Sequence, residues 1–289
     1  MKIALILVPY DSGHRNVRMG AGPERLADPI ADELAAAGYR VSRTIVEPRP
    51  TSWHAELGTA FELASGVARE VTAARAGQAL PIVLAGNCFA TLGVVAALGD
   101  GTGLIWWDAH ADFNTPDTSV SGFLDGMALA TIAGRSWTAM RGRVDGFVPV
   151  REDHVWLVGA RDLDPAEASA LESSRIHRVP ATAASAELSK TISRQAVSIP
   201  RFALHVDLDV IDAAEGRANS YAVGGGVSIA QLTATCSALG RELPVEALTL
   251  SAYDPSCDVD GRVMVAATAL VTGVASRRST RAALPSPAH

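Results

Sequence analysis

Two acidic clusters have the residue types and spacing of a metal centre. Residues 108–112 read DAHAD, which places two carboxylates and an imidazole at alternate positions, and residues 207–209 read DLD. Four carboxylates gathered at one place would repel one another strongly unless a cation neutralised them. Oxygen ligands together with an imidazole suit Mn²⁺ or a similar divalent ion. A lone D-x-D is usually an ordinary loop, but the two clusters together favour a metal site.

The elements around these clusters are predicted from the hydrophobic pattern, in which short apolar runs alternate with Ala-rich helical segments. We predict eight strands, at residues 3–8, 41–46, 81–84, 103–107, 154–158, 176–179, 202–206 and 247–250. We predict eight helices, near residues 23–37, 54–76, 90–97, 127–133, 165–172, 184–194, 229–240 and 261–275. Gly38 and Gly77 follow the first two helices, where left-handed caps are expected.

The predicted strands are continuous apolar runs, which is typical of a parallel sheet that is covered on both faces. Their alternation with helices over the whole length indicates one doubly wound α/β domain. In such sheets, ligands bind beyond the carboxyl ends of the strands. Both acidic clusters directly follow predicted strands, and Asn87 and Cys88 follow the strand at 81–84. The fold class therefore predicts that these side chains share one site.

Composition excludes several classes of protein. The chain has 289 residues, of which 48% are hydrophobic and 19% charged, so it is not a disordered chain. Three cysteines do not make a disulfide scaffold, and a net charge of -6 disfavours nucleic acid and anionic membranes as partners. The first apolar run, residues 3–8, is too short for a signal peptide or a membrane span. We expect a cytoplasmic protein that acts on a small molecule.

The sequence around both clusters resembles the arginase/ureohydrolase superfamily. The resemblance rests on DAHAD at 108–112 and HVDLD at 205–209, and it continues through FNTP at 113–116, SGFLDGM at 121–127 and GARDLDP at 159–165. These motifs occur in the right order over roughly residues 80–260. The resemblance implies a three-layer α/β/α fold with a mainly parallel sheet. It also implies a single arginase-like metallohydrolase domain at 1–275, followed by a flexible tail at 276–289.

The resemblance also implies a metal site and a reaction. The positions that match metal ligands of the family are Asp108, His110, Asp112, Asp207 and Asp209. Two Mn²⁺ ions would be held there, and a water bridging them would lose a proton and attack an amidine carbon, hydrolysing a non-peptide C–N bond. Asp112 is thereby placed at the reacting atoms, and Asp212 is a candidate for holding the ligands in position. Trimers or hexamers are expected by the same analogy.

The resemblance extends to the other end of the substrate. In arginases, residues matching Asn114, Ser119 and Ser121 contact the α-carboxylate of the amino acid. Those matching Asp162 and Asp164 lie near its α-amino group. All five positions hold suitable polar residues here, which favours an amino-acid-like substrate. Loops rich in such residues also arise from turn chemistry alone.

The chain departs from the family at three positions. Cys88 stands where the family has a histidine ligand; it is either a ligand, which would favour Zn²⁺ or a single metal, or an inert buried thiol. A branch that hydrolyses Nω-hydroxy-arginine has cysteine at this position too. Asp125 stands where a histidine relays a proton, and it is either a catalytic acid with a raised pKa or a loop carboxylate. Ala252 replaces a Glu that faces the guanidinium, which argues against an ordinary guanidinium substrate.

Three functions remain open at this point. The first is a metal-dependent hydrolase of a linear amidine, guanidino or hydroxyguanidino compound. The second is a non-catalytic member that keeps a metal or binds an amino acid, which the three departures favour. The third is a deacetylase-like amide hydrolase with one zinc. His205, two residues before Asp207, is expected to pack in the core and not to bind a metal.

Overall fold

The computed structural model describes residues 1–49 and 55–281 and is built around one large parallel sheet. Its strands in chain order are β1 Lys2–Val8, β2 Tyr10–Asp11, β3 His14–Arg15, β4 Arg40–Ile45, β5 Ala79–Ala85, β6 Thr102–Trp107, β7 Val155–Val158, β8 His177–Val179, β9 Arg201–Asp207 and β10 Val245–Ser251. The sheet has the order β4-β1-β5-β10-β9-β6-β7-β8, and β2 and β3 form a separate antiparallel pair. All eight predicted strands are confirmed, with their ends within two residues of the prediction.

The helices alternate with these strands along the chain. They are α1 Gly22–Ala36, α2 Glu56–Ala76, α3 Thr91–Leu98, α4 Ala128–Ile132, α5 Thr138–Arg141, α6 Pro165–Glu172, α7 Ala186–Gln195, α8 Ile229–Glu242 and α9 Arg262–Arg281. The eight predicted helices are found, although the predicted first residue of the second, His54, lies outside the described residues. The four-residue α5 and the β2–β3 pair were not predicted, because they are too short to show a hydrophobic period.

The helices cover both faces of the sheet, which confirms the three-layer α/β/α class. Helices α1, α7, α8 and α9 pack on one face, and α2, α3 and α4 pack on the other. Neighbouring side chains of a strand point to opposite faces, so Trp106 and Trp107 of β6 enter different cores and both are fully buried. Truncating either indole to alanine is expected to cost about 3–5 kcal/mol.

The parallel arrangement brings four strand ends to the same edge of the sheet. Strands β5, β10, β9 and β6 are neighbours, and their carboxyl ends lie side by side. Directly after β5, Gly86 meets the segment that follows β1: a Cβ at Gly86 would lie 2.2 Å from the carbonyl oxygen of Tyr10. Only glycine therefore allows this close approach, which fixes the turn that leads into Asn87 and Cys88.

Two helix ends differ from the prediction. Gly38 has a left-handed backbone with φ of 86°, as expected, but Gly77 has φ of -76°, and Gln78 is the left-handed residue with φ of 58°. The chain turns one residue later because β5 begins at Ala79. Helix α9 continues past the predicted end at residue 275, since residues 276–281 contain neither glycine nor proline. Residues 282–289 of the predicted tail lie outside the described residues.

No helix within residues 1–49 and 55–281 is long and apolar enough to cross a membrane.

Candidate active site

The two acidic clusters meet at the edge formed by β6 and β9. The Nδ1 atom of His110 lies 3.3 Å from Oδ1 of Asp108 and 3.4 Å from Oδ2 of Asp209. Burial lowers the pKa of His110, but the hydrogen bond to Asp108 and the charge of Asp209 outweigh it and raise that pKa to about 9. Burial, followed by the neighbouring carboxylates, raises the pKa of Asp207 well above its usual range. The arrangement concentrates negative charge that a cation would stabilise.

The environment of Asp112 shows whether these side chains are suited to a metal ion. Its Oδ2 atom is buried and has no hydrogen-bond partner among the residues that the structure describes. A buried carboxylate oxygen without a partner is costly in a folded protein. The residue also has a left-handed backbone, with φ of 50°, a conformation that is uncommon outside glycine although aspartate adopts it more readily than most residues. Both features fit an oxygen that is held toward a divalent cation.

Cys88 lies on the floor of the same site, on the short 3₁₀ helix Cys88–Ala90 that follows β5. Its Sγ atom is buried, 3.0 Å from Oδ2 of Asp207 and 3.1 Å from the hydroxyl of Ser251. Burial, followed by the charge of Asp207, raises the pKa of the thiol well above its usual range. Without a cation, Cys88 is thus a neutral thiol that donates a hydrogen bond to Asp207.

The His205 side chain is buried below Cys88. The ring is fully buried and stacks on Trp106 with a centroid distance of 3.6 Å and an interplanar angle of 20°. Its Nδ1 atom lies 2.7 Å from the Thr91 hydroxyl. Burial lowers the pKa of His205 to about 3, so the ring is neutral at physiological pH.

Asp125 is a buried residue and not a solvated loop carboxylate. Its Oδ2 accepts a hydrogen bond from the side-chain amide of Asn87 at 2.8 Å, and its Oδ1 accepts one from the backbone N–H of Phe89 at 2.9 Å. Burial raises the pKa of Asp125 to about 7 against these hydrogen bonds. A carboxyl group with that pKa is able to give or take a proton near neutral pH.

A cleft of about 290 Å³ opens above the acidic floor. Eleven of the twelve residues predicted as metal ligands, catalytic residues or substrate-binding residues line it, and the twelfth, Asp108, lies just beneath with 1% of its surface exposed. The lining residues that were predicted are Cys88, His110, Asp112, Asn114, Ser119, Ser121, Asp125, Asp162, Asp164, Asp207 and Asp209. The structure therefore brings the predicted residues at these strand ends together at one cleft.

The outer wall of the cleft carries the polar loop residues. The amide of Asn114 donates to Oδ2 of Asp164 at 3.1 Å. The Ser119 and Ser121 hydroxyl oxygens each accept a backbone N–H within their own turn, so their hydroxyl protons remain available to a ligand. Asp162 is half exposed and its Oδ2 lies 4.0 Å from Nε2 of His110. The wall thus combines donors for an anion with acceptors for a cation.

Several lining residues were missed by the sequence reasoning. Glu167 is buried, and it accepts hydrogen bonds from the backbone N–H groups of Phe113 at 2.8 Å and Asp164 at 3.4 Å. Its signal was present as a capping box, because Asp164 caps α6 and Glu167 is the third helical residue. The other missed residues are Phe123 and Gly126, which lie within the SGFLDGM motif at 121–127, and Met19, Asn219 and Tyr221, which lie in no motif identified above.

The role expected for Asp212 is wrong. Its carboxylate accepts hydrogen bonds from the backbone N–H groups of Ala214, Gly225 and Gly226, so it fixes the loop after β9 and does not hold a ligand side chain. A residue that does contact a predicted ligand is Asn219, whose amide donates to Oδ2 of Asp209 at 3.2 Å. The resemblance suggested Asp212 as a support for the ligands, whereas the structure gives its carboxylate backbone partners in its own loop.

Arg161 ties this loop to the end of β7. Its guanidinium is half-buried and donates to five backbone carbonyl groups, which belong to Gly159, Asp209, Val210, Val223 and Gly224. Because one of these residues is a predicted ligand, the position of Asp209 depends on Arg161.

Ala252 faces the cleft directly after β10. Only 2% of the residue is exposed, and its carbonyl oxygen accepts a hydrogen bond from Asn219 at 2.9 Å. Its backbone is left-handed, with φ of 60°. The Ala252 methyl group and Met19 are both among the residues that line the cleft.

Comparisons with known proteins agree with this geometry. The chain is 29% identical over 246 residues to an N(omega)-hydroxy-L-arginine amidinohydrolase from Streptomyces lavendulae, which covers 83% of this chain and 85% of the relative. It is 28% identical over 272 residues to an arginase from Bacillus caldovelox, covering 87% and 89% of the two chains.

Solved structures share the fold. The arginase of Bacillus subtilis superposes with a TM-score of 0.86 at 22% identity, over 95% of this chain and 98% of its own. The arginase of Entamoeba histolytica, solved in complex with L-ornithine, gives a TM-score of 0.83 at 21% identity, over 94% and 98% of the two chains. The family model described as "Arginase family" matches residues 1–275. On this evidence, the chain belongs to the arginase family of ureohydrolases.

Proposed function

We propose that this protein hydrolyses a non-peptide C–N bond in a guanidino or hydroxyguanidino amino acid, with Nω-hydroxy-L-arginine as the preferred substrate type. The observation that carries the proposal is the convergence of the two acidic clusters, including the unpartnered Oδ2 of Asp112, on the floor of one cleft. Asp108, His110, Asp112, Asp207 and Asp209 would hold two divalent ions, for which Mn²⁺ is the usual ion in the family. When bound, such ions lower the pKa of a water molecule and polarise the atom that it attacks.

The outer wall supplies recognition of an amino-acid end. Ser119, Ser121 and Asn114, which line the cleft, would donate hydrogen bonds to an α-carboxylate, and the carboxylates of Asp162 and Asp164 would accept from an α-ammonium group. The arginase that is solved with L-ornithine supports an amino-acid ligand in this fold. These contacts bind and orient the substrate so that its other end reaches the acidic floor.

Asp125 is the residue that we expect to transfer a proton to the leaving group. Its carboxyl group lines the cleft, and its pKa of about 7 makes both protonation states available near neutral pH. It would donate a proton from Oδ1 or Oδ2 to the departing nitrogen, after which the amine leaves as a neutral group. Asn87 and the backbone N–H of Phe89 fix the orientation of the carboxyl group.

Ala252 and Met19 support a hydroxyguanidine in place of a guanidinium. A permanently charged guanidinium that is buried without a carboxylate partner loses its solvation and gains nothing in return. A hydroxyguanidine is a weaker base than a guanidine, so more of it is neutral. The neutral form loses less solvation when it binds beside an apolar side chain. The relative from Streptomyces lavendulae, whose name states this substrate, supports the same choice.

The test compares kcat/KM for Nω-hydroxy-L-arginine, L-arginine and agmatine with the Mn²⁺-loaded protein. We expect the hydroxylated amino acid to give the highest value and agmatine, which lacks the carboxylate, the lowest. The variant Ala252→Glu is expected to raise the ratio of arginine to hydroxyarginine turnover by at least about tenfold, equivalent to about 1.4 kcal/mol. No turnover of any of the three compounds by the metal-loaded protein would refute the proposal and favour an amino-acid-binding member without hydrolase activity.

We also infer that the protein forms homo-oligomers, as is common in the family, and that it acts in the cytoplasm. Sedimentation of the purified protein tests the first inference, and a trimer or hexamer is the expected result.

A further inference from the structure

We propose that His205 is a metal ligand, and that Cys88, Asp108 and His205 form an inner metal position suited to Zn²⁺. The inference rests on the proposed metal centre, but it concerns which residues bind and which ion they select. One ligand atom from each of the three residues lies within 4.8 Å of the other two. All three residues are buried.

A second group of the same kind lies next to it. Ligand atoms of Asp108, His110 and Asp209 also lie within 4.8 Å of one another. Asp108 belongs to both groups, so its carboxylate would bridge an inner and an outer position. The outer position contains oxygen ligands and one imidazole, which suits Mn²⁺. The inner position also contains the sulfur of Cys88, which is a softer ligand atom than oxygen. The two metal positions therefore differ in the ions that they favour.

The orientation of His205 leaves one ring nitrogen for a metal. Its Nδ1 is engaged by the Thr91 hydroxyl at 2.7 Å, whereas the one contact of Nε2 among the described residues is with the Ser251 hydroxyl at 3.5 Å. A ligating histidine commonly uses its second nitrogen for such a hydrogen bond, which fixes the tautomer and the ring. His205 and Asp207 are two residues apart on β9 and therefore share a face of the sheet. Nε2 and the Cys88 Sγ both approach the Ser251 hydroxyl, at 3.5 Å and 3.1 Å, so this nitrogen is on the side where Cys88 lies.

Trp106 orients two of the three ligands at once. Its ring stacks on His205 at 3.6 Å, and its Nε1–H donates to Oδ2 of Asp108 at 3.0 Å. A rigid buried indole therefore fixes the plane of the imidazole and the rotation of the carboxylate together. Supporting contacts of this type are expected around a built metal site, because they hold the ligands before the ion arrives.

The donor set selects the ion. Thiolate and imidazole ligands with a carboxylate are typical of Zn²⁺, whereas Mn²⁺ prefers oxygen ligands. Coordination would release the thiol proton of Cys88 to solvent and leave the sulfur as a thiolate. We therefore expect one tightly held Zn²⁺ per chain at the inner position and a more readily exchanged Mn²⁺ at the outer one.

Zn-edge X-ray absorption on the full chain with one equivalent of Zn²⁺ tests the proposal directly. The expected spectrum has one sulfur at about 2.3 Å and an imidazole nitrogen at about 2.0–2.1 Å from the same ion. The His110→Asn variant removes the outer imidazole, so its spectrum should keep the nitrogen shell. A sulfur shell without imidazole in that variant, or no sulfur shell in the wild-type chain, would overturn the proposal.

Variants give a second readout by competition with a zinc chelator. We expect His205→Gln and Cys88→Ser each to weaken Zn²⁺ binding at least 100-fold. The matched controls His177→Gln, on a ring that stacks on Trp156 in β7, and Cys236→Ser, on a buried helix thiol, should stay within about twofold. Equal losses in the controls would refute a specific role.

Thr91→Val keeps the shape of its side chain and removes only the hydroxyl that holds Nδ1. It should weaken Zn²⁺ binding about 10–100-fold, and unchanged affinity would count against His205. If His205→Gln does not fold, the Thr91→Val variant and the wild-type X-ray absorption spectrum still show whether His205 binds the metal. None of these measurements needs turnover, so an inactive protein with the predicted zinc shell would refute the proposed function and leave this inference standing.

Discussion

Asp125→Asn should remove part of the pH dependence of the free energy of unfolding of the metal-free protein. The folded-state pKa of Asp125 is about 7, and its ordinary value is 3.8. As the pH rises, the unfolded chain therefore ionises first, and the folded state loses stability from about pH 4 until the pH passes the folded pKa. This sign is opposite to that of a carboxylate in an ion pair.

The magnitude follows from the difference between the two pKa values. A difference of about three pH units at about 1.36 kcal/mol each amounts to about 4 kcal/mol lost by the wild-type protein between pH 4 and pH 8. An asparagine does not ionise and avoids this loss. Its amide lacks one acceptor for Asn87, which lowers stability equally at every pH and does not alter the trend.

The assay is urea denaturation in the presence of a chelator, followed by the fluorescence of the buried tryptophans. The free energy of unfolding of Asp125→Asn minus that of the wild-type protein should rise by about 4 kcal/mol from pH 4 to pH 8. Asp260→Asn, which changes an exposed carboxylate, is the control and should show a flat difference. A flat difference for Asp125→Asn as well would refute the assignment of a proton-holding carboxyl group.

Three further predictions concern the metal, the scaffold and the outer wall. Mn²⁺ at a hundredfold excess over its Kd should raise the free energy of unfolding by about 2.7 kcal/mol, and Asp207→Asn should remove most of that gain in the same denaturation assay. Arg161→Met should lower the free energy of unfolding by about 3 kcal/mol or more, because five backbone carbonyls lose their donor, whereas Arg194→Met on the surface should change it by less than about 0.5 kcal/mol. Ser119→Ala with Ser121→Ala should raise KM for Nω-hydroxy-L-arginine about tenfold with kcat within about twofold, as measured by steady-state kinetics; an equal fall in kcat would contradict a purely binding role.

The strands and the position of the site were predictable because buried strands appear in the sequence as continuous runs of apolar residues. Strand β6 is buried at every position, so it reads as an unbroken apolar run that ends where DAHAD begins. In a parallel sheet that ending fixes the edge at which the side chains emerge. The same argument placed Cys88 and Asp207 together without knowledge of the strand order.

The rest depended on the path of the connections, which has no periodic signal. Asn219 and Tyr221 reach the cleft from the long connection between β9 and α8, and Met19 reaches it from the segment before α1. The backbone contacts of Asp212 with residues 214, 225 and 226 likewise depend on the path of the loop after β9. The contact of the His205 Nδ1 with Thr91 also leaves no mark on the sequence, because it joins residues 114 positions apart.

The last strand of the sheet to be synthesised, β10, lies between β5 and β9 near its middle. A nascent chain that has emerged only as far as β9 therefore holds two separate pieces, β4-β1-β5 and β9-β6-β7-β8, with no strand to join them. Cys88 lies on one piece and the acidic clusters on the other, so the cleft floor does not assemble until residue 251 has left the ribosome. Long-range pairing of this kind is slow and exposes strand edges to other chains. Truncation upstream of β10 should accordingly yield aggregation and not a smaller working enzyme.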